Sequence, residues 1–345
     1  MIMDNGARSF FSADNEYVRS NDYFVRADEL TMHFPAKKDS FGRVSSWIHA
    51  ADKVSFEVPR GKTMGVVGES GCGKSTVGKM LAGLYQPTSG RIFYDGTDIT
   101  DLSPKERLPY QRRIQMVWQD PYSSLDPRMQ AGEIIGETIR NFHLAASKEE
   151  YRTRVEELMR ICGLFPEEKN KYTHQFSGGQ RQRICIARAL AADPDFIVLD
   201  EAVSALDVSI QAQIINLLKD LQDEFSLTYL FISHDLNIVR YISDEVIVMY
   251  LGQIVERGTM ELIFHNRAHP YTRALFSATP VFPPSAAAKK ERIILQGDVL
   301  SPVDPPAGCR FASRCPFAKG YCRNEEPVWH EVEQNHYVKC SLFDP

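Results

Sequence analysis

Gly68-Glu69-Ser70-Gly71-Cys72-Gly73-Lys74-Ser75 is the stretch on which the fold turns. It follows the apolar run Thr63–Val67 and opens a helical pattern, which is the setting of the G-x-x-x-x-G-K-[ST] phosphate loop between a strand and a helix. Each residue type has a physical reason to be there. Glycines let backbone N–H groups turn into the loop, and the helix N-terminus adds partial positive charge. Lys74 has the reach for β- and γ-phosphates, and the Ser75 hydroxyl can ligate Mg²⁺. Ser70, Gly71, Cys72, Gly73 and Thr76 complete the candidate cradle for ATP. A glycine turn ahead of an ordinary helix would carry similar letters, so the remaining motifs must decide.

Downstream, Phe196-Ile197-Val198-Leu199-Asp200-Glu201 is an apolar run of buried-strand type ending in two carboxylates. Beside a phosphate loop, Asp200 is placed to hold Mg²⁺ and Glu201 to act as general base toward the attacking water. Ser177-Gly178-Gly179-Gln180 reads as a helix start with capping-box spacing, its glycines leaving backbone donors open to an anion. Short β-type runs at Thr63–Val67, Gln115–Trp118, Phe196–Leu199 and Thr228–Ile232 alternate with helical stretches, so the fold class is α/β around a mostly parallel sheet. Glu245–Tyr250 and Gln253–Glu256 read as a hairpin turning near Gly252. Between Gly132 and Leu164 the pattern is helical, with Val155, Leu158, Met159 and Cys162 at helical spacing.

Composition bounds the function classes. With 345 residues, 43% hydrophobic and 25% charged, the chain can bury a large core and carry an appendage. A net charge of -5, from 40 basic and 45 acidic residues, gives no basic excess to pair with a phosphate backbone, so no nucleic-acid partner is expected. No apolar stretch approaches the roughly 18 residues of a membrane span, and the first residues lack the pattern of a signal peptide. The chain is expected to stay in the cytosol and to need partner subunits for any work at a membrane.

With those motifs in place, the chain resembles the nucleotide-binding domain of ATP-binding cassette (ABC) transporters over roughly Val25 to Arg257, with the motifs in the family's order. The resemblance implies a P-loop ATPase with an antiparallel β subdomain and a helical subdomain at about 122–185. It also assigns residues. Ser177-Gly178-Gly179-Gln180 matches the signature that closes over ATP held by a second cassette. Gln119 matches the glutamine that touches the metal, His234 the switch histidine at the γ-phosphate, and Asp207 the aspartate at the dimer interface. Phe34, ahead of the first core strand, matches the aromatic that stacks on adenine, with His33 and Phe41 nearby. One departure is Ala202, where many relatives carry proline after the glutamate.

Three further stretches are similar to dipeptide, oligopeptide and nickel importer ATPases, most nearly the dipeptide type: 119–129, 207–213 and 269–275. The segment Cys309-Arg310-Phe311-Ala312-Ser313-Arg314-Cys315-Pro316 completes that likeness. It implies ATP hydrolysis that drives peptide import at the cytoplasmic face of the inner membrane. The partners implied are a second, different ATPase subunit, two transmembrane permease subunits and an extracytoplasmic substrate-binding protein. A nickel or glutathione importer is the alternative substrate reading, and a soluble, non-transport ABC ATPase the alternative class.

The C-terminal region reads separately. From His269 the prolines thicken at positions 270, 280, 283, 284, 302, 305, 306 and 316, the mark of an irregular extension. Four of the seven cysteines, Cys309, Cys315, Cys322 and Cys340, fall in the last 37 residues with spacing C-x5-C-x6-C-x17-C. Four thiolates suit a [4Fe-4S] cluster, which the resemblance favours, or Zn²⁺, with unliganded thiols as the third possibility. The expected organisation is a loosely held 1–22, a nucleotide-binding domain at 23–265 and the four-cysteine extension at 266–345.

Overall fold

A computed structural model describes residues 23–278, 293–295, 297 and 300–344. The expected loose terminus at 1–22 and the prolines at 280, 283 and 284 lie outside the described residues. In chain order the elements are β1 (Tyr23–Lys38), β2 (Val44–Pro59), β3 (Thr63–Val67), α1 (Lys74–Leu81), β4 (Ser89–Tyr94), β5 (Thr97–Asp98), α2 (Pro104–Arg113) and β6 (Ile114–Val117). There follow α3 (Pro121–Ser124), α4 (Ala131–Asn141), α5 (Lys148–Ile161), α6 (Gly178–Leu190), β7 (Phe196–Asp200), α7 (Val208–Phe225) and β8 (Thr228–Ile232). The last are α8 (Leu236–Ile242), β9 (Glu245–Tyr250), β10 (Gln253–Thr259), α9 (Met260–His265), α10 (Pro270–Ser277), β11 (Trp329–Glu333) and β12 (His336–Lys339).

These elements fall into two units. The first contains Pro59–Lys62 and Asp101–Leu230. Within it β6 and β7 pair in parallel, Ile114 opposite Phe196 and Val117 opposite Leu199. All five residues of β7 are buried, as the unbroken apolar run requires of a strand covered on both faces. The helical insert is two helices, α4 and α5, interrupted by a turn in which His143 takes φ 54°. Ser147 starts α5 by accepting the Glu150 N–H. Val155, Leu158 and Met159 are buried along one side of that helix, and Cys162 caps its end in full burial. The strand expected at Gln115–Trp118 lies one residue earlier, because Ile114 is already paired with Phe196.

The second unit contains Val25–Val58, Thr63–Thr100 and Phe231–Pro345. It holds an antiparallel sheet in the order β2-β1-β4-β5, and strands in the order β11-β12-β10-β9-β3. β3 runs parallel to β9, with Val66 opposite Ile247, and every β3 residue is buried. The β9–β10 hairpin turns through Leu251 at φ 43° and Gly252 at φ 81°. β10 runs on to Thr259, past the expected end at Glu256, because Glu256, Arg257 and Gly258 also pair with β12.

The C-terminal region departs from the expected irregular chain. β11 and β12 form a hairpin at Asn335, φ 62°, that adds to β10, and α10 is a helix started by Pro270 and capped by His269. A buried carboxylate ties this region down. Glu256 accepts the backbone N–H groups of Ala268 at 2.7 Å and His269 at 2.9 Å, and lies 2.7 Å from Nε2 of His336. Both side chains of that last pair are fully buried. Removing the carboxylate strands three buried polar groups at once, so Glu256→Ala should cost about 3 kcal/mol or more, read from denaturant unfolding of the full chain.

Candidate nucleotide site and cysteine cavity

In the second unit, the end of β3 runs straight into the glycine loop. Gly68 takes φ 150°, and a Cβ there would lie 2.2 Å from the Met249 carbonyl oxygen. Gly73 takes φ 105°, and a Cβ there would lie 2.0 Å from the Ala50 carbonyl oxygen. Only glycine satisfies both the left-handed backbone and the close approach. Gly73 is also the N-cap of α1 and brings no side-chain cap to its first turn. Backbone donors at that end thus lack a side-chain acceptor from the cap, the condition for holding an anion.

Lys74 is 4% exposed, and its Nζ donates to the carbonyls of Gly68 at 2.8 Å and Glu69 at 2.9 Å. The ammonium is therefore folded back over the loop it belongs to. Burial pushes the Cys72 thiol up, against the opposing pull of Lys74, so it packs as a neutral side chain. Ser75 and Thr76 sit in the first turn of α1. His234 is exposed just past β8, where the Ser233 N–H donates to the Val66 carbonyl and Asp235 caps α8. Phe34 lies within β1, half-buried and edge-on to Tyr85 at 5.6 Å, ahead of the buried strand β3.

In the first unit, Asp200 ends β7 at 4% exposure, and Glu201 leaves the strand at φ 48°. A left-handed glutamate is uncommon and turns the side chain off the strand direction. Its carboxylate accepts the Gln119 Nε2–H at 2.9 Å, so two residues 82 apart in sequence meet. The signature forms the expected capping box: Ser177 Oγ accepts the Gln180 N–H at 3.3 Å, and Gln180 Oε1 accepts the Ser177 N–H at 2.9 Å. Gly179 is close-packed, since a Cβ there would lie 2.5 Å from Ile210, while Gly178 has only ordinary contact with Leu206. Asp207 is exposed at the N-cap position of α7, without a capping hydrogen bond from its side chain. Buried Ala202 occupies the place where proline was the family expectation.

The four late cysteines come together in the second unit. Cys309, Cys315, Cys322 and Cys340 line one small cavity with Phe311 and Phe317. All four are free thiols, and the Cys309 N–H donates to the Cys322 carbonyl at 2.7 Å. Burial pushes the Cys340 thiol up to about 11, with the other three cysteines adding to the effect. Among the described residues the group of three or more metal-type ligand atoms within 4.8 Å of one another is His33, His49 and Asp52, not these sulfurs. Sequence reasoning missed that histidine group, and no motif signals it. It also missed Arg310, which donates to Asp52 and to the Leu251 carbonyl, and Arg314, which grips Glu69. Their only signal was adjacency to Cys309 and Cys315.

The profile of ABC transporters matches residues 51–204, and that of the C-terminal region of oligopeptide/dipeptide transporters matches residues 255–322. The chain is 49% identical over 316 residues to the oligopeptide transport ATP-binding protein AppF of Bacillus subtilis, covering 91% of this chain and 96% of AppF. It is 47% identical over 333 residues to OppF of Escherichia coli, an oligopeptide transport ATP-binding protein, covering 96% and 99%. It is 46% identical over 328 residues to the dipeptide transport ATP-binding protein DppF of Haemophilus influenzae, covering 95% and 99%. Among solved structures, a dimeric ATP-binding cassette bound to ADP and Pi superposes with a TM-score of 0.61 at 30% identity, over 68% of this chain and 98% of that one. CbiO1 of Clostridium perfringens superposes with the same TM-score at 29% identity, over 72% and 92%. With likeness this high running almost end to end, the chain belongs to the ABC transporter family, among the ATP-binding subunits of oligopeptide and dipeptide transporters.

Proposed function

We propose that this chain binds and hydrolyses ATP to power peptide import, working as one of two different ATPase subunits beneath two permease subunits at the cytoplasmic face of the membrane. An extracytoplasmic binding protein delivers the peptide. The observation that carries the ATPase reading is the loop itself: Gly68 and Gly73 can be nothing but glycine, and they lead into the N-terminus of α1 with Lys74 folded over the loop. No described helix is long and apolar enough to cross a membrane, so the membrane path is assigned to the partners. The near-full-length relatives are oligopeptide and dipeptide transport ATP-binding proteins, which supports oligopeptides or dipeptides as cargo.

In this reading Lys74 exchanges the Gly68 and Glu69 carbonyls for β- and γ-phosphate oxygens when ATP binds. Phe34 stacks on adenine, and the loop from Ser70 to Thr76 supplies N–H donors and hydroxyls. Ser75, Asp200 and Gln119 are the residues that would hold Mg²⁺, whose charge would offset that of the phosphates. Glu201 is the general base, and the Gln119 amide fixes its carboxylate from one side. His234 meets the γ-phosphate, and the signature at 177–180 with Asp207 serves the nucleotide of the partner cassette. The nucleotide-binding domain runs from 23 to 265, and the four-cysteine extension from 266 to 345.

The cysteine cavity is proposed to hold a [4Fe-4S] cluster. Four thiols converging on one cavity supply its full ligand set. Zn²⁺ is the alternative occupant for the same four thiols.

Three outcomes test the proposal. Lys74→Ala should weaken equilibrium binding of a fluorescent ATP analogue by about tenfold or more, and an unchanged affinity removes the phosphate role. Glu201→Gln should keep that affinity and slow hydrolysis by about a hundredfold or more; near-normal turnover sinks the base assignment. Chain purified without oxygen should carry about four irons, lost in Cys309→Ser. Zinc, or no metal at all, contradicts the cluster.

A further inference from the structure

An acidic side chain inside a phosphate loop is an electrostatic liability. Glu69 is the second residue of the loop, and its carboxylate would repel a triphosphate bound to the same backbone. The fold answers this from a remote part of the chain. Arg314, 245 positions away, donates from Nη1 to both Glu69 carboxylate oxygens at 3.2 and 2.9 Å, and from Nη2 to one of them at 3.1 Å. This is a bidentate, charge-assisted pair whose arginine is only 10% exposed.

The same loop residue is held a second time. The Glu69 N–H donates to the hydroxyl of Tyr271 at 2.8 Å, and Tyr271 is 1% exposed in the core. Meanwhile the Glu69 carbonyl accepts from Lys74 Nζ and from the Cys72 N–H. Carboxylate, N–H and carbonyl of one residue are thus all engaged, two of them by side chains from beyond residue 270. Tyr271 and Tyr250 pack on Phe311, which lines the cysteine cavity. Arg314 itself is covalently joined to Cys315.

We infer that Arg314 is a positioning residue of the nucleotide loop: it neutralises and anchors Glu69, so that the C-terminal cysteine segment sets the affinity for ATP. The inference rests on residues 68–75 being the ATP loop, as proposed above. Nothing in the chemistry requires Arg314 to touch nucleotide. It acts through Glu69, and that gives a signature no general loss of stability can imitate. If the carboxylate is what Arg314 controls, removing the carboxylate makes Arg314 dispensable.

Equilibrium binding of a fluorescent ATP analogue to the full chain with Mg²⁺ tests this. Arg314→Ala should weaken binding about tenfold, whereas Arg314→Lys, which keeps the charge, should stay within about threefold of the parent. On a Glu69→Gln background, Arg314→Ala should change affinity by less than about threefold. Cys315→Ser should weaken binding as Arg314→Ala does, and Glu69→Gln should relieve that loss too. The inference is overturned if Arg314→Ala binds as the parent does, or if its loss persists in full beside Glu69→Gln. Normal affinity in Cys315→Ser would overturn the link to the cysteine segment. Lys74→Ala is the control: if it binds like the parent, the ATP-loop reading fails instead.

Discussion

Backbone crowding around the glycine loop is the constraint on which the rest of the second unit depends. Two positions leave no room for a side-chain carbon, one against the Met249 carbonyl and one against the Ala50 carbonyl. Those carbonyls belong to β9 and β2, so the loop's path is set by strands whose own pairing is set elsewhere. β9 is held between β3 and β10, and β10 in turn by β12. A loop with such neighbours has its backbone path fixed before any ligand arrives, which lowers the ordering cost of binding.

The C-terminal region is thereby part of the ATPase and not a passenger. Its hairpin extends the strand row that positions the loop, and buried Glu256 on β10 joins His336 of that hairpin to the backbone of Ala268 and His269. Arg310 reaches the turn at Leu251, and the adjoining Gly252 N–H donates to the Cys72 carbonyl. The region that carries the cysteines and the region that carries the phosphate loop therefore share hydrogen bonds inside one unit.

Local chemistry was legible in the sequence wherever the motif and its neighbours are close in the chain. β3 and β8 lie where the apolar runs placed them, and the Ser177–Gln180 capping box forms as its spacing implies. Pairings between distant residues were not legible. The end of β10 went unread because Arg257 and Gly258 look like a strand stop, although both pair with β9 on one side and β12 on the other. β11 and β12 went unread because five- and four-residue strands carry little periodicity after a proline-rich stretch. Glu201 was legible from its strand-end position and Gln119 from family likeness, but their 2.9 Å contact depends on the β6–β7 register and on the left-handed turn at Glu201. Arg314 could not have been found at all, since nothing in a run of letters ties position 314 to position 69.

A chain that converts ATP hydrolysis into peptide uptake must couple its turnover to the arrival of peptide. The direct measurement is ATP turnover by the chain reconstituted in lipid vesicles with the subunits that co-purify with it, with and without external peptide-loaded binding protein. Two membrane subunits and a second ATPase should be present in the complex, and turnover should rise severalfold when loaded binding protein is added. Turnover indifferent to peptide, or a chain that purifies with no membrane subunit, would contradict it.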